Sequence, residues 1–158
     1  MKKIALIMGS DSDLPVVNKA TSILDELNLN YETHIYSAHR TPEQARDFAL
    51  GARENGFGVI ICFAGMAAHL AGAIAANTTL PIIGVPIKSK AFEGMDALLS
   101  TVQMPPGIPV ATVGVDAGKN AALLAAEILS VEDKDLESKL NNIRTEAKKQ
   151  VLKKDEKL

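Results

Sequence analysis

Three short segments contain most of the side chains in this 158-residue sequence that could perform chemistry. Residues 9–13 combine serine with aspartate, and residues 37–42 contain a histidine beside an arginine. Residues 64–69 consist of small or apolar residues followed by a second histidine. Each segment follows an apolar run and precedes a stretch with helical spacing. If the apolar runs are parallel strands, all three segments lie at the carboxyl edge of one sheet. The sequence therefore predicts a polar site with two histidines at that edge.

Side chains of the first two segments suit a phosphorylated sugar. Serine hydroxyls and the backbone N–H groups before a helix favour an anion, so Ser10 and Ser12 are candidates for binding a phosphate. Arg40 adds a planar guanidinium with the geometry that recognises phosphate. Asp13 would repel a phosphate and is better suited to accept hydrogen bonds from a sugar diol. Simple helix capping by the serine and aspartate side chains is the alternative for the first segment.

Histidine is the side chain that exchanges protons most readily near neutral pH, so His39 is a candidate acid and base. His69 stands near the start of an apolar helix and is either a core residue or part of the site. His34 alternates within a strand and is predicted to be structural. The histidines lack the spacing of metal ligands, and we predict no metal site. Cys62, the only cysteine, lies inside an apolar run and is predicted to be a buried thiol.

Hydrophobic spacing predicts the elements that position these segments. Strands are expected at residues 4–8, 31–36, 59–63, 81–85 and 109–115, and helices at residues 14–27, 42–55, 66–77, 95–103, 120–129 and 134–152. Thr41, Pro42 and Gln44 predict a capped start for the second helix. The alternation favours an α/β fold, a flavodoxin-like three-layer sandwich whose five parallel strands have the order 2-1-3-4-5, plus a C-terminal helix. In that order the first and third strands flank the ligand-binding switch point.

Composition limits the class of protein. The length predicts one domain over residues 1–158, in which residues 133–158 form a charged C-terminal helix with a frayed end. Seventeen basic and nineteen acidic residues with 4% aromatics argue against a nucleic-acid binder.

Residues 1–4 lead into the first strand and not into a signal peptide, and a single cysteine favours a cytoplasmic protein. Residues 57–76 are apolar enough to suggest a membrane span, but Gly65 divides them into a strand and a helix.

Two helices indicate contact with a further subunit. Residues 66–76 are apolar all round, although a helix on the outside of a sandwich usually has a polar face. The last helix has a narrow apolar stripe that packs either on its own domain or on a neighbour, consisting of Leu136, Leu140, Ile143, Ala147 and Val151. We therefore expect a homo-oligomer.

Several motifs in a fixed order resemble the 5-(carboxyamino)imidazole ribonucleotide mutase family of purine biosynthesis. They are Gly-Ser-x-Ser-Asp, Ser-Ala-His-Arg-Thr-Pro and Ala-Ala-His-Leu in the three segments, with Gly-Met-Asp, Val-Gln-Met-Pro, Gly-Ile-Pro-Val and Asn-Ala-Ala-Leu-Leu-Ala further on. The resemblance extends from about residue 3 to beyond residue 140. It implies a flavodoxin-like homo-octamer with active sites near subunit contacts. The implied reaction moves a carboxylate from the exocyclic nitrogen to ring carbon 4 of the ribonucleotide, without ATP, metal or any cofactor.

The resemblance also implies roles for individual residues. Ser10, Asp13 and Arg40 would bind the ribonucleotide, Ser12 and Ser37 would lie close by, and His39 would be the catalytic proton shuttle. A wall of small and apolar residues would hold carbon dioxide, formed by Gly65, Met66, Ala67, Ala68, His69 and Leu70. Met66 and Ala71 depart from the family pattern, which often has Gly and Pro at these positions. A further implication is functional coupling to the ATP-dependent synthetase that makes the substrate.

Other functions remain compatible with parts of the sequence. One branch of the family carboxylates 5-aminoimidazole ribonucleotide directly with carbon dioxide. A non-catalytic module could bind the phosphoribosyl ligand and would not need His39. A signalling receiver domain requires a carboxylate after the third strand, and residues 62–64 supply none. A flavodoxin-type electron carrier would use aromatic side chains over its flavin, and the chain has no Trp and two Tyr.

Overall fold

The computed structural model describes residues 2–157, so Met1 and Leu158, at the two ends of the predicted domain, lie outside the described residues. Five strands form a single sheet in the order β2-β1-β3-β4-β5, and every neighbouring pair is parallel. The strands are β1 (Lys3–Met8), β2 (Tyr31–Ile35), β3 (Phe57–Gly65), β4 (Ile82–Ile87) and β5 (Ala111–Thr112). The predicted strand order is therefore confirmed, and β1 and β3 lie side by side.

Helices cover both faces of the sheet. They are α1 (Leu14–Glu26), α2 (Pro42–Gly51), α3 (Leu70–Ala75), α4 (Met95–Val102), α5 (Gly118–Ser130) and α6 (Lys134–Asp155). One face packs against α1 and α5, with α6 lying on α5, and the other packs against α2, α3 and α4. Across residues 2–157 no helix combines the length and the hydropathy needed to cross a membrane. The predicted division of residues 57–76 is also confirmed, because β3 ends at Gly65 and α3 begins at Leu70.

The central strands are buried because helices cover the sheet on both sides. Residues 4–8 and 59–63 are each at most 1% exposed, as their unbroken apolar runs predict. Cys62 lies in the second of these runs, and burial raises the pKa of its thiol. The prediction of a buried structural cysteine is therefore confirmed.

The predicted and observed bounds differ by a few residues in several elements, and the differences in α2, β5 and α3 have clear causes. Helix α2 ends at Gly51 and not near residue 55, because turns continue the chain to β3. Strand β5 is two residues long, since only residues 111 and 112 pair with β4. Helix α3 begins four residues later than expected, because Met66 has a φ of 57° and the backbone turns tightly at residues 66–69. A left-handed residue cannot continue an α-helix, so this segment is a loop.

Helix α3 is covered within a single chain. Its buried residues pack between the sheet and helices α2 and α4, and they are Leu70, Ala71, Gly72, Ile74 and Ala75. Packing within one chain therefore accounts for the apolar composition of α3, so this composition does not by itself require a second subunit. Helix α6 divides in two: Leu136 and Leu140 are buried against its own domain, whereas Val151 is 65% exposed.

Candidate active site

A cavity of about 580 Å³ opens at the carboxyl edge of the sheet. The three expected segments line it through Gly9, Ser10, Ser12, Asp13, Ser37, Ala38, His39, Arg40, Ala64, Gly65, Met66, Ala67, His69 and Leu70. Of the residues predicted for the site, Ala68 alone is absent from this lining, because it is buried behind the loop. The structure adds a fourth wall, formed by Ile87, Lys88 and Ser89 after β4. Sequence reasoning gave this loop no role, although the predicted strand order places β4 beside β3.

Asp13 is the most buried charged group of the site. It closes a short 3₁₀ turn (Asp11–Asp13) in which the Ser10 N–H donates to Asp13 Oδ2 at 3.2 Å. Its side chain is 7% exposed, and this burial raises the pKa of the carboxyl above its ordinary value. Hydrogen bonds from Ser10 and Ser12 favour the charged form and offset part of that effect. The capping role predicted as an alternative is real, and the same carboxylate also lines the cavity.

The backbone of the first loop is largely committed to its own fold. Its N–H groups donate to oxygens within the chain, from Gly9 to the Phe63 carbonyl, from Ser10 to Asp13, from Ser12 to Ser10 Oγ and from Asp13 to the Ser10 carbonyl. A phosphate at this loop would therefore meet hydroxyl groups and not a cradle of free N–H groups. This differs from the expectation that the backbone supplies the anion contacts.

The second loop is closed by Thr41. Its Oγ1 accepts from the Ser37 N–H at 2.8 Å and donates to the Ser37 carbonyl at 3.2 Å. Thr41 stands at the predicted N-cap of α2 and Pro42 begins the helix, but the expected side-chain capping bond was wrong because the hydroxyl closes this loop instead. Arg40 then crosses to the first loop, where its Nη2 donates to the Gly9 carbonyl at 2.8 Å. The guanidinium is exposed and retains donors that face solvent.

His39 lies in the chain between Ser37 and Arg40, which are both anchored by hydrogen bonds, and it is exposed at the edge of the cavity. Within residues 2–157 its ring makes no hydrogen bond, so both ring nitrogens are accessible to a ligand. His34 is outside the cavity, where its ring stacks on Tyr36 at 5.3 Å and packs against Phe48 at 5.0 Å. The prediction that His34 is structural agrees with this placement.

The third loop is held from behind by helix α4. The buried Thr101 Oγ1 lies 3.2 Å from the Ala68 carbonyl and 2.7 Å from the Ala97 carbonyl, which joins the loop to the helix. Met66 is 65% exposed and has the left-handed backbone conformation. Glycine adopts that conformation without steric cost, which explains why a family pattern with Gly at this position suits this turn.

Replacement of Met66 by Gly should leave the protein as stable or more stable. The left-handed conformation costs a non-glycine residue about 1–2 kcal/mol, and glycine relieves this at the expense of greater freedom in the unfolded chain. We expect a rise of up to about 1 kcal/mol in the free energy of unfolding, measured by urea denaturation. Met66→Ala is the matched control, since it shortens the side chain but keeps the strain. A loss of stability for the glycine variant alone would contradict this account.

Lys88 is the second basic side chain of the cavity. Its Nζ forms an ion pair with Glu93, and its backbone N–H donates to Asp116 Oδ1 at 3.0 Å. The hydrogen bond and charge of Glu93 raise the pKa of the ammonium group, so Lys88 is a cation at neutral pH. The loop after β4 therefore adds a cation that is paired with Glu93 to the residues that line the cavity.

A larger cavity, of about 710 Å³, lies at the amino ends of β4 and β5. No residue that lines it has a titratable side chain, so it offers no acid or base. Among residues 2–157 there is also no group of three or more His, Cys, Asp or Glu side chains arranged to hold a metal ion. The cavity at the carboxyl edge of the sheet, in contrast, brings together two histidines (His39 and His69), the buried carboxylate of Asp13 and the cations Arg40 and Lys88.

Comparison with known proteins identifies the family. The sequence model of the AIR carboxylase family matches residues 3–150 of this chain. The chain belongs to the AIR carboxylase family. The match covers all five strands and the four loops of the cavity, so the family resemblance seen in the motifs is confirmed.

Individual members of the AIR carboxylase family are similar over nearly the whole chain. The N5-carboxyaminoimidazole ribonucleotide mutase of Pyrococcus abyssi is 56% identical over 149 residues, which cover 94% of this chain and 86% of the relative. The protein of the same name from Bacillus subtilis is 54% identical over 157 residues, which cover 98% and 97%. The crystal structure of Treponema denticola PurE has a TM-score of 0.88 at 30% identity and covers 99% of this chain and 98% of its own.

Proposed function

We propose that this protein is a mutase that converts 5-(carboxyamino)imidazole ribonucleotide into 4-carboxy-5-aminoimidazole ribonucleotide in purine biosynthesis. The observation that carries the proposal is the meeting of His39, Asp13 and Arg40 in one cavity at the switch point of the sheet. Relatives of this name at 54–56% identity support the same reaction. The enzyme is then an isomerase, because substrate and product have the same atoms.

The cavity suggests how the ribonucleotide lies. Arg40 is anchored to the first loop and its remaining donors would bind the phosphate, with the hydroxyls of Ser10, Ser12 and Ser37 beside it. The Asp13 carboxylate would accept hydrogen bonds from the two ribose hydroxyls. The imidazole base then extends toward His39 and the wall formed by residues 64–70.

A single imidazole can carry out both proton transfers of this reaction. Protonated His39 donates to the exocyclic nitrogen as its bond to the carboxyl carbon breaks, which releases carbon dioxide and leaves His39 neutral. Ring carbon 4 then attacks the carbon dioxide and forms the new carbon–carbon bond. Neutral His39 removes the proton from that carbon and restores the aromatic ring, so the protein ends in its starting state. A group that acts as acid and then as base needs a pKa near the working pH, as imidazole has.

The third loop would retain the carbon dioxide between these steps. Gly65, Ala67 and Leu70 line the cavity with small or apolar surface, while Ala68 is buried behind them. An apolar wall excludes water that would otherwise hydrate or dilute the released molecule. Retention in the cavity explains how the carboxylate returns to the same substrate without ATP or added bicarbonate.

Turnover of prepared 5-(carboxyamino)imidazole ribonucleotide, without ATP, metal or bicarbonate, tests the proposal. Formation of the 4-carboxy isomer at a rate proportional to enzyme concentration is the expected result. If product forms only from 5-aminoimidazole ribonucleotide and bicarbonate, the protein is the direct carboxylase. If folded protein binds the product but shows neither activity, it is a binding module and the mutase proposal is wrong.

The proposal includes a homo-octamer, as the family resemblance implies. Exposed apolar side chains follow one face of α4 and the loop before it, namely Phe92, Met95, Leu99 and Val102. A contiguous apolar patch on a water-soluble chain is typical of a subunit contact. This loop continues from Lys88 and Ser89, so a contact here would lie beside the cavity.

The Leu99→Glu variant should dissociate the assembly, because it places a charge in this apolar contact. Light scattering should give a mass of several 16.8 kDa chains for the wild type and a smaller mass for the variant. Val131→Glu is the matched control, since Val131 is 80% exposed in the turn between α5 and α6. A monomeric wild type, or an unchanged mass for Leu99→Glu, would contradict the proposed contact.

A cytoplasmic location and coupling to an ATP-dependent synthetase are part of the same proposal. The lone, buried thiol of Cys62 is compatible with a reducing compartment. The substrate is a carbamate, which forms reversibly from an amine and carbon dioxide and is unfavourable from dilute bicarbonate. An ATP-dependent synthetase would draw its formation toward completion and supply it to this enzyme.

A further inference from the structure

Gly72 lies directly beneath the ring of His69. A Cβ atom built on Gly72 would be 2.4 Å from His69 Cε1 and 2.9 Å from both ring nitrogens. Real Cβ atoms essentially never approach other heavy atoms within 3.0 Å, so no side chain fits at this position while the ring stays where it is. The imidazole therefore rests flat against the first turn of α3.

The backbone by itself does not require glycine at this position. Gly72 lies inside α3 and has no left-handed φ, and its neighbours Ala71 and Ala73 are alanines. Alanine is the better helix former, so Gly72 is unfavourable for the helix itself. The three heavy atoms nearest to a Cβ at this position all belong to the ring of His69.

No hydrogen bond holds the ring of His69 among residues 2–157, although its backbone is fixed. The His69 N–H donates to the Ala67 carbonyl at 2.9 Å, and the His69 carbonyl accepts from the Ala73 N–H at 2.9 Å. The side chain lines the cavity on the wall that includes Gly65 and Leu70. The backbone of His69 is therefore held and its ring nitrogens are unpaired, while the ring lies against Gly72.

We propose that Gly72 is a positioning residue whose missing side chain seats the His69 imidazole against the cavity wall. The seat directs a ring nitrogen toward the space where the substrate base and its migrating carboxylate lie. This inference rests on the proposed mutase function for its effect on turnover. The seating of the ring is a separate physical statement that is measured without any substrate.

The Gly72→Ala variant tests both parts. The variant should fold with an unchanged or higher melting temperature, because alanine favours the helix. Its kcat should fall at least about tenfold with little change in KM, because a displaced ring alters the reacting geometry more than the phosphate and ribose contacts. Gly51→Ala, at the end of α2 and outside the cavity, is the matched control and should keep wild-type turnover.

The coupling to His69 is measured with a double variant. In a His69→Ala protein, the added Gly72→Ala change should have no further effect on kcat, because no ring remains to be displaced. A loss of the same size in both backgrounds would show that Gly72 acts on something else. If Gly72→Ala fails to fold, the double variant should fold again, and failure of both would overturn the proposal.

Nuclear magnetic resonance of ¹³C-labelled histidine gives a readout independent of activity. Gly72→Ala should shift the Cε1–H resonance of His69, assigned by its loss in His69→Ala, and leave that of His34 in place. An unchanged His69 resonance would refute the seating even if the wild type proves to be an active mutase. If Gly72→Ala shifts the resonance but the wild-type protein shows no turnover, the seating of the ring is retained and the mutase proposal is rejected.

Discussion

The His39→Asn variant is expected to remain folded and to lose turnover by about 10²–10⁴-fold, the usual contribution of a positioned acid–base group. Asparagine has a similar size and polarity but cannot gain or lose a proton near neutral pH. His39 is exposed and its ring makes no hydrogen bond within residues 2–157, so its replacement removes no hydrogen bond from the fold. The loss should therefore appear in kcat, while the melting temperature and the affinity for product stay close to wild type.

Two comparisons separate this role from a general effect of losing a histidine. His34→Asn changes a histidine outside the cavity and should keep its turnover at temperatures below its own unfolding. The dependence of kcat on pH should differ between the wild type and His39→Asn, because only the wild type has an imidazole at this position to act as acid and base. Near-normal turnover of His39→Asn would remove the proton shuttle from the mechanism.

The Asp13→Asn variant is expected to raise KM by about 10–100-fold, which corresponds to a charge-assisted hydrogen bond of about 1.5–3 kcal/mol. A carboxylate accepts from both hydroxyls of a diol, whereas a carboxamide offers one acceptor oxygen. That oxygen can still accept the Ser10 N–H that Asp13 Oδ2 accepts now, so the turn is retained. Steady-state kinetics of the two proteins check this, and Asp11→Asn is the control because Asp11 is exposed and outside the cavity lining.

The Asp13→Asn substitution should raise the free energy of unfolding, although it weakens substrate binding. Burial raises the pKa of Asp13 above 3.8, so folding disfavours its charged form. Such a group contributes most to stability below its unfolded pKa, and that contribution is lost as the pH rises through the folded value. Asp13→Asn should therefore gain stability relative to the wild type between about pH 4 and about pH 7. A difference in urea midpoint between the two proteins that is the same at about pH 4 and at about pH 7 would contradict the desolvation of Asp13.

The sign of that shift also predicts how binding depends on acidity. As the pH falls, Asp13 takes up a proton at a higher value than an ordinary carboxyl does, and its neutral form accepts fewer hydrogen bonds from the ribose. The KM of the wild type should therefore rise in acid, while that of Asp13→Asn stays flatter over the same range. A parallel rise in both proteins would assign the acid limb to another group.

Local pattern in the chain was enough to predict the sheet and the three segments that line the cavity. Unbroken apolar runs such as residues 4–8 and 59–63 predict strands buried on both faces, and right-handed crossovers leave few strand orders to consider. Since parallel strands end at one edge, the segments that contain Asp13, His39 and Arg40 had to meet there. The same segments carried the motifs of the AIR carboxylase family, because a site made of loops after successive strands keeps its chemistry in short runs.

Only the tertiary structure decided which groups remain free to act. It placed Ile87, Lys88 and Ser89 in the wall, used the Thr41 hydroxyl to close a loop and not to cap a helix, and turned α3 into a helix covered by its own chain. It also laid the His69 ring on Gly72. Spacing along the chain constrains which backbone segments meet, but hydrogen-bond partners and burial depend on distances between side chains that are set when the elements pack.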